Sequence, residues 1–428
     1  MAIQSLAPKS VIACFILLFG LNACGHDYFE PAPEFEAAST KLAVTNDIEE
    51  AVDSLAIPLI TSGRNIGMIV GVTTPDGDFI KAYGHTDRER KIPMPKDAIF
   101  QVGSITKSFT SVTMAEFEQQ GILRFDDPLS KIIPPDRIQK DCDMGKIKFG
   151  QIPSHTSGMP QEGYTLDLLW GVTSYIVTGD NLYRFYNTVK FDAWVKVGGF
   201  GVGKSREYGY SNLAMSLLGW TLGTYQGKGF RYHLHDKVLK PLNLNSTDLT
   251  LTDEQVNKLT PGYAGDLPIF LPRHRQVTPW LLDEGISGSG GLHTTAEDLL
   301  TYCKAAIGLG DTPLKKAFRR SQEPVTKQPD GQMAYSWFIE NLPHTKQEYY
   351  HIAGIIGGHT SWLGYDLKRG IGIILLQNSI NHDDKLSVPL LDRLVGAQMK
   401  KEALLGKSQQ PRDHEIKSAK ARSGSVGG

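Results

Sequence analysis

Ser104 and Lys107 stand three residues apart at the start of a helical pattern, in which Phe109, Val112 and Phe117 recur at helical spacing. Residues i and i+3 share a helix face, so the lysine can reach the serine hydroxyl. A serine hydroxyl is a poor nucleophile until a neighbouring group takes its proton, and a lysine with a lowered pKa can do that. Taken alone, Ser-x-x-Lys is a weak signal, because the same spacing is common on solvated helix faces.

Two later segments could complete this chemistry: Tyr210-Ser-Asn212 and a glycine-rich stretch from His351 to Gly358. We expect a cationic lysine beside Tyr210 to favour the phenolate and so lower the tyrosine pKa. Asn212 offers an amide donor and acceptor for a substrate amide. The backbone N–H of Ser104, at a helix start, is free to stabilise an oxyanion. Together these segments can supply what acyl transfer requires.

The ordered set Ser104-x-x-Lys107, Tyr210-x-Asn212 and His351-x-Ala353 resembles the three motifs of the class C β-lactamase-like serine hydrolases. That family includes D,D-carboxypeptidases, related penicillin-binding proteins, class C β-lactamases and some carboxylesterases. Four further stretches are similar to family signatures and follow the family order: 125–130, 154–160, 240–244 and 289–298. The resemblance runs from about Asn46 to Val395, and AmpH-type carboxypeptidase/endopeptidases are the most similar members.

The resemblance implies a role for each matching residue. Ser104 would be the acylated nucleophile, Lys107 the partner that eases removal of its proton, and Tyr210 the general base and later the acid. Asn212 would hold the substrate amide. The backbone N–H groups of Ser104 and Gly354 would form the oxyanion hole.

The third motif departs from the family pattern, which is often Lys-Thr-Gly. By the resemblance, His351 and Ala353 would bind substrate here, and histidine at the first place also occurs in the family. Ala353 adds a methyl group where glycine lets a substrate strand approach closely. Because histidine has an unperturbed pKa of about 6.5, we expect His351 to attract a substrate carboxylate more strongly as the pH falls.

The surrounding sequence predicts an α/β (α+β) fold. Strand-like runs at 67–73 and 78–83 flank a Pro-Asp-Gly turn, which favours a hairpin. Short β-branched or aromatic runs at 335–340, 348–352, 361–365 and 370–376 predict an antiparallel meander near the other end of the chain. We therefore expect one antiparallel sheet formed by the N- and C-terminal parts, flanked by helices, with a mostly helical inserted region, all within a domain at 46–400.

The segments outside this domain have other predicted roles. An apolar run at 11–21 is too short to span a bilayer and is typical of a signal peptide, here residues 1–23. Leu21-Asn-Ala-Cys24 resembles a lipobox, which predicts lipidation of Cys24, export to the periplasm and a membrane anchor. An ordinary signal peptide cut near Ala23 is the alternative. Residues 24–45 are predicted to be a tether and 401–428 a disordered tail.

Composition excludes several classes of function. The 428 residues are 40% hydrophobic and 21% charged, which predicts a globular protein. A formal net charge of −1 gives no electrostatic reason to expect a nucleic-acid partner. The sequence contains neither a Walker A motif nor a Rossmann fingerprint, so we expect no nucleotide cofactor.

No metal site is predicted either. His233-Leu-His235-Asp236 superficially resembles a metal motif, but on a helix residues i and i+2 point about 200° apart, so a surface helix is expected. His155 is expected to be a structural hydrogen-bonding residue. Cys142 and Cys303 are predicted to be separate thiols, although a disulfide between them is left open.

The leading functional prediction is a cofactor-free serine acyl hydrolase, most specifically a D,D-carboxypeptidase or endopeptidase that acts on peptidoglycan peptides and binds penicillin. A carboxylesterase or a β-lactamase would use the same residues on a different ester, amide or β-lactam substrate. The alternative from another class is a catalytically silent protein that keeps the fold to bind ligands.

Overall fold

The computed structural model describes residues 47–140, 142–163, 165–198, 201–203, 207–266, 271–328, 331–381 and 385–408. The predicted signal peptide, the lipidation site Cys24 and the tether up to residue 45 lie outside the described residues, as does the predicted tail from 409 onward.

Fourteen strands are present in the described ranges. They are β1 (Gly67–Thr74), β2 (Gly77–Asp87), β3 (Ile92–Pro93), β4 (Phe100–Gln101), β5 (Gly262–Ala264), β6 (Gln276–Val277), β7 (His293–Thr294), β8 (Thr326–Gln328), β9 (Gly331–Met333), β10 (Phe338–Asn341), β11 (Glu348–Ile356), β12 (His359–Asp366), β13 (Ile371–Gln377) and β14 (Ser379–Ile380).

The α-helices are α1 (Ile48–Thr61), α2 (Thr106–Gln119), α3 (Leu166–Thr178), α4 (Thr188–Lys196), α5 (Asn212–Thr224), α6 (Phe230–Leu234), α7 (Asp253–Lys258), α8 (Ala296–Ile307), α9 (Lys315–Ser321) and α10 (Ser387–Ser408). A 3₁₀ turn at Gly103–Ile105 leads directly into α2, and a π-helical turn at His235–Leu239 follows α6.

Nine strands form the main sheet, in the order β3-β2-β1-β13-β12-β11-β10-β9-β8. The N-terminal hairpin pairs with the C-terminal strands through β1 and β13, where Met68 lies opposite Gln377 and Val72 opposite Ile373. All the strand pairs within this sheet are antiparallel. The predicted mixed fold, with one antiparallel sheet built from both ends of the chain, is confirmed.

Each face of the sheet is covered by a different set of helices. On one side, which we call the α10 face, side chains such as Val70 and Leu375 pack with α1 and α10. On the other side, the α2 face, Ile69 and Ile374 pack with the helical region inserted between β4 and β8. Because side chains alternate along a strand, the central strands must be apolar at every position to be buried on both faces.

The C-terminal helix extends past the predicted boundary. The domain predicted from the sequence ends at residue 400, yet α10 continues to Ser408, so residues 401–408 are helical and the disordered tail cannot begin at 401. Tertiary ion pairs hold these last turns: Lys401 lies 3.1 Å from Asp76 in the β1–β2 turn, and Glu402 lies 3.4 Å from Arg369.

Other predictions have mixed outcomes. Cys142 and Cys303 are both free thiols, which confirms that they are separate. The segment around His233 and His235 is helical as predicted, but His233 is only 3% exposed, and its Nε2 lies 3.0 Å from the Tyr225 carbonyl oxygen. The surface prediction is therefore wrong for His233.

Within the described residues we find no group of His, Cys, Asp and Glu side chains arranged to hold a metal ion. None of the helices in that part of the chain combines the length and the apolar character needed to cross a bilayer.

Candidate active site

Ser104 lies in the 3₁₀ turn before α2, where backbone amides have no partner within the helix. Gly103 precedes it with a φ of +48°, a conformation that glycine adopts without steric cost. A Cβ atom on Gly103 would lie 3.0 Å from both the N and the O of Ile355. Glycine is therefore needed here for the start of α2 to lie directly against strand β11.

Two polar side chains converge on the Ser104 hydroxyl. Lys107 Nζ and the Tyr210 hydroxyl each lie 2.8 Å from Ser104 Oγ. Lys107 Nζ also donates to the carbonyl oxygen of Ser289 at 2.7 Å, which fixes the amine on a second side. The structure therefore brings the three residues proposed as catalytic into one hydrogen-bonded cluster.

Burial sets the protonation states in this cluster. Lys107 is 1% exposed, and its burial lowers its pKa to about 7, against the opposing effect of the Glu162 charge. Burial also raises the pKa of Tyr210 to about 12, although the hydrogen bond to Ser104 acts in the other direction. The expectation that Tyr210 ionises more easily is wrong, because its burial outweighs any benefit from the lysine charge. Near neutral pH the group able to accept a proton is Lys107.

The loop that carries Tyr210 is fixed by Ser211 and His155. Ser211 caps α5, since its Oγ accepts from Ala214 N at 2.9 Å and donates to the Pro160 carbonyl oxygen at 2.6 Å. His155 is buried and its Nδ1 accepts from Ser211 N at 3.2 Å. Burial lowers the His155 pKa to about 3, which keeps this ring neutral and able to accept. The predicted structural role of His155 is confirmed.

Asn212 begins α5 and contacts an acidic residue that the sequence analysis missed. Its Nδ2 donates to Glu162 Oε1 at 2.5 Å, and the Tyr183 hydroxyl donates to the same oxygen at 3.2 Å. Glu162 is 5% exposed, and its burial raises the pKa of the carboxyl group. The sequence feature that could have identified Glu162 is its position, two residues after the family-like stretch that ends at Pro160.

The structure does not bring His351 and Ala353 to Ser104. A Cβ on Gly354 would lie 2.9 Å from Ser104 N, so the side-chain direction of Gly354 is toward the α2 face. Alternation then places His351 and Ala353 on the α10 face. The His351 ring stacks with Tyr349 and Trp362 there, and its Nε2 lies 3.4 Å from Glu340 Oε1.

The neighbour of His351 and Ala353 that shares the α2 face with Gly354 is Ile352, which is 2% exposed. The motif assignment therefore fails by one position. On a strand, a one-residue difference turns a side chain to the opposite face.

The backbone of β11 also corrects the predicted oxyanion hole. A Cβ on Gly103 would lie 3.0 Å from both the backbone N and the backbone O of Ile355, so the polar groups of Ile355 point toward the start of α2. Because these groups alternate in direction along a strand, those of Gly354 point the other way, toward β12. The pairing of β10 with β11 ends at His351, which leaves this edge unpaired among the described strands from Ile352 onward. The N–H groups placed to share an oxyanion are those of Ser104 and Ile355, rather than Gly354.

Comparisons with known proteins find similarity to β-lactamases and to a D-alanyl-D-alanine carboxypeptidase/endopeptidase. A protein-family model described as Beta-lactamase matches residues 47–396. A curated Beta-lactamase from Psychrobacter immobilis is 24% identical over 314 residues, covering 72% of this chain and 71% of its own length. The D-alanyl-D-alanine-carboxypeptidase/endopeptidase AmpH of Escherichia coli (strain K12) is 23% identical over 298 residues, covering 68% of this chain and 67% of its own length.

Protein flp of Staphylococcus aureus (strain MW2) is 22% identical over 349 residues; the match covers 78% of this chain but only 64% of that protein. Solved structures share the fold. A class C β-lactamase from Rhodobacter sphaeroides superposes with a TM-score of 0.67 at 17% identity, covering 83% of this chain and 100% of its own. A D-alanine carboxypeptidase AmpC from Burkholderia cenocepacia gives 0.63 at 19% identity, covering 82% and 99%.

Proposed function

The chain belongs to the β-lactamase family, whose members are serine hydrolases, and from that premise we propose that it hydrolyses D-alanyl peptides of peptidoglycan through an acyl-enzyme on Ser104. The observation that carries the proposal is the position of Ser104 Oγ, within 2.8 Å of both Lys107 Nζ and the Tyr210 hydroxyl. The similarity to a D-alanyl-D-alanine-carboxypeptidase/endopeptidase supports the choice of substrate.

In the proposed acylation step, Ser104 Oγ attacks the carbonyl carbon while its proton passes to neutral Lys107. The N–H groups of Ser104 and Ile355 stabilise the negative charge that develops on the carbonyl oxygen. When the tetrahedral intermediate collapses, the leaving amine takes the proton of Tyr210, and the Lys107 ammonium returns a proton to Tyr210. A water molecule then attacks the ester, and the same groups move its proton so that Ser104 is regenerated.

Asn212 is proposed to hold the amide on the acyl side of the substrate. Its Nδ2 donates to Glu162, which fixes the orientation of the amide, and its Oδ1 is the acceptor that can take a hydrogen bond from a substrate N–H. The fixed orientation favours acyl groups that carry such an amide.

A second candidate function is hydrolysis of neutral esters or amides. The observation that favours it is the position of His351, whose ring lies on the α10 face, while uncharged Ile352 occupies the α2 face of the strand. Because the position of Ile352 carries no positive charge, a substrate carboxylate beside the scissile bond would be bound less tightly.

The deciding experiment is intact-mass analysis after incubation with benzylpenicillin, combined with measurement of D-Ala release from Nα,Nε-diacetyl-L-Lys-D-Ala-D-Ala. The wild type should form a Ser104 adduct and release D-Ala. Ser104→Ala should do neither, whereas Ser108→Ala, on the same helix and bonded only within the core, should do both.

Each other outcome selects an alternative. Hydrolysis of p-nitrophenyl acetate without D-Ala release would favour the esterase, and rapid turnover of penicillin would favour a β-lactamase. A wild type that a fluorophosphonate cannot label at Ser104 would refute a serine hydrolase and favour a silent binding protein.

A further inference from the structure

Glu162 is a buried carboxylate whose side-chain hydrogen bonds with the described residues all fall on one of its two oxygens. Asn212 Nδ2 and the Tyr183 hydroxyl both donate to Oε1. No hydrogen bond from the described residues reaches Oε2, although the side chain is 5% exposed. A carboxylate removed from water is costly unless a cation or further donors compensate it. One oxygen of Glu162 thus remains available for a donor.

Lys107, the cation that interacts with Glu162, does not neutralise the charge of this carboxylate fully. The charge of Glu162 interacts with Lys107, but that amine is committed to Ser104 Oγ and to the Ser289 carbonyl oxygen. Burial also lowers the Lys107 pKa to about 7, so the amine is only partly charged at neutral pH. Among the described residues, the other titratable groups that interact with the charge of Glu162 are the phenols of Tyr183, Tyr186 and Tyr210, which carry no positive charge.

The carboxylate is held rigidly on the acyl side of the site. Tyr183 packs edge-on against Tyr186 and Trp280, with ring centroids 5.9 and 5.7 Å apart, so its hydroxyl is a fixed support for Glu162. Asn212, the other support, is the residue proposed to hold the amide of the acyl group. A substrate group that meets Glu162 therefore belongs to the acyl portion, next to that amide.

We propose that Glu162 determines specificity by binding a primary ammonium on the acyl portion, carried by the residue before the cleaved D-alanyl unit, as in stem peptides with a free diamino acid. This inference rests on the proposed function and names its substrate class. An ammonium supplies both the charge and the donors that Oε2 lacks. An acyl group without an ammonium leaves the carboxylate uncompensated in the enzyme–substrate complex.

The test compares Nα-acetyl-L-Lys-D-Ala-p-nitroanilide with its Nα,Nε-diacetyl counterpart, which differs in the lysine charge but keeps the amide and a neutral leaving group. We expect the wild-type kcat/KM to be about tenfold or more higher for the free amine, as for other charge-assisted hydrogen bonds. Glu162→Gln should bring the ratio near one. Tyr183→Phe, which keeps the carboxylate but removes one support, should keep most of the preference.

Equal rates for the two substrates in the wild type, or an unchanged preference in Glu162→Gln, would overturn the inference and leave the proposed hydrolysis standing. If neither anilide is cleaved, the peptidase proposal fails. The same peptides are then used as competitors of fluorophosphonate labelling at Ser104. Stronger protection by the free amine in the wild type, lost in Glu162→Gln, would still support the ammonium site, and equal protection would refute it.

Discussion

Gly354→Ala should greatly lower the rate of acylation, although it adds only one methyl group and replaces no catalytic side chain. A Cβ at this position would lie 2.0 Å from the Val102 carbonyl oxygen, 2.7 Å from Ser361 Oγ and 2.9 Å from Ser104 N. Two of these neighbours are backbone atoms, which cannot rotate away. To restore contact distances, strand β11 must move away from the start of α2 by about 1 Å, since real Cβ contacts essentially never fall below 3.0 Å.

The displacement separates the two backbone N–H groups proposed to share the oxyanion. Losing one such donor lowers rates by about 10²- to 10³-fold, and a shift of about 1 Å in a reacting group can cost about 10²-fold. We therefore expect the labelling rate of Ser104 to fall by about 10²-fold. Overpacking of this kind should also lower the free energy of unfolding by about 1–3 kcal/mol.

The assay is the second-order rate constant for fluorophosphonate labelling, with Tm measured on the same samples. Ala353→Ser is the matched control, because the neighbouring residue lies on the opposite face and is exposed, so that its rate should stay within about twofold of the wild type. A folded Gly354→Ala variant that labels at the wild-type rate would refute the close packing of β11 on Ser104.

Three further predictions follow from the same geometry. Acylation by the wild type should rise about tenfold between pH 6 and pH 8, because Lys107 accepts a proton only when neutral and its pKa is about 7; a flat profile would place the base elsewhere. His351→Lys should change the ratio of kcat/KM for carboxylate-bearing and neutral substrates by less than about twofold, since the ring lies beside Glu340 on the α10 face; a clear gain for carboxylates at pH 8 would contradict that placement. We also propose that Cys24 is lipidated, so the exported protein should fractionate with membranes and Cys24→Ser should be released or left unprocessed; soluble wild type with an N-terminus after Ala23 would exclude the anchor.

The sequence was most informative where the chemistry is local. Ser104 and Lys107 lie one helical turn apart, so secondary structure alone brings their side chains together. The alternating strands at the two ends of the chain and the helical periods between them were likewise enough to predict the antiparallel sheet and its helical insertion. These features depend on short-range periodicity, which can be counted along the chain.

The motif on strand β11 could not be interpreted correctly from periodicity. The role of His351 was assigned from the resemblance to a short family motif. Its face, however, depends on which residue of β11 lies opposite Ser361 and against Ser104, and that register is set by neighbouring strands. The same register decided that Ile355, rather than Gly354, presents its N–H toward Gly103. A short motif cannot fix register, because a difference of one residue preserves composition and reverses the face.

The electrostatics of the site depended on tertiary structure as well. The sequence predicted that the charge of Lys107 would lower the pKa of Tyr210, whereas burial lowers the lysine pKa to about 7 and raises the tyrosine pKa to about 12. Glu162 had no recognisable partner along the chain until folding placed it against Asn212 and Tyr183, 50 and 21 residues away. The sequence by itself determined which groups are available for acyl transfer. Only the tertiary structure decided their protonation states and the sheet face on which each side chain lies. Desolvation and strand register both arise from segments that are distant in the chain and adjacent in the fold.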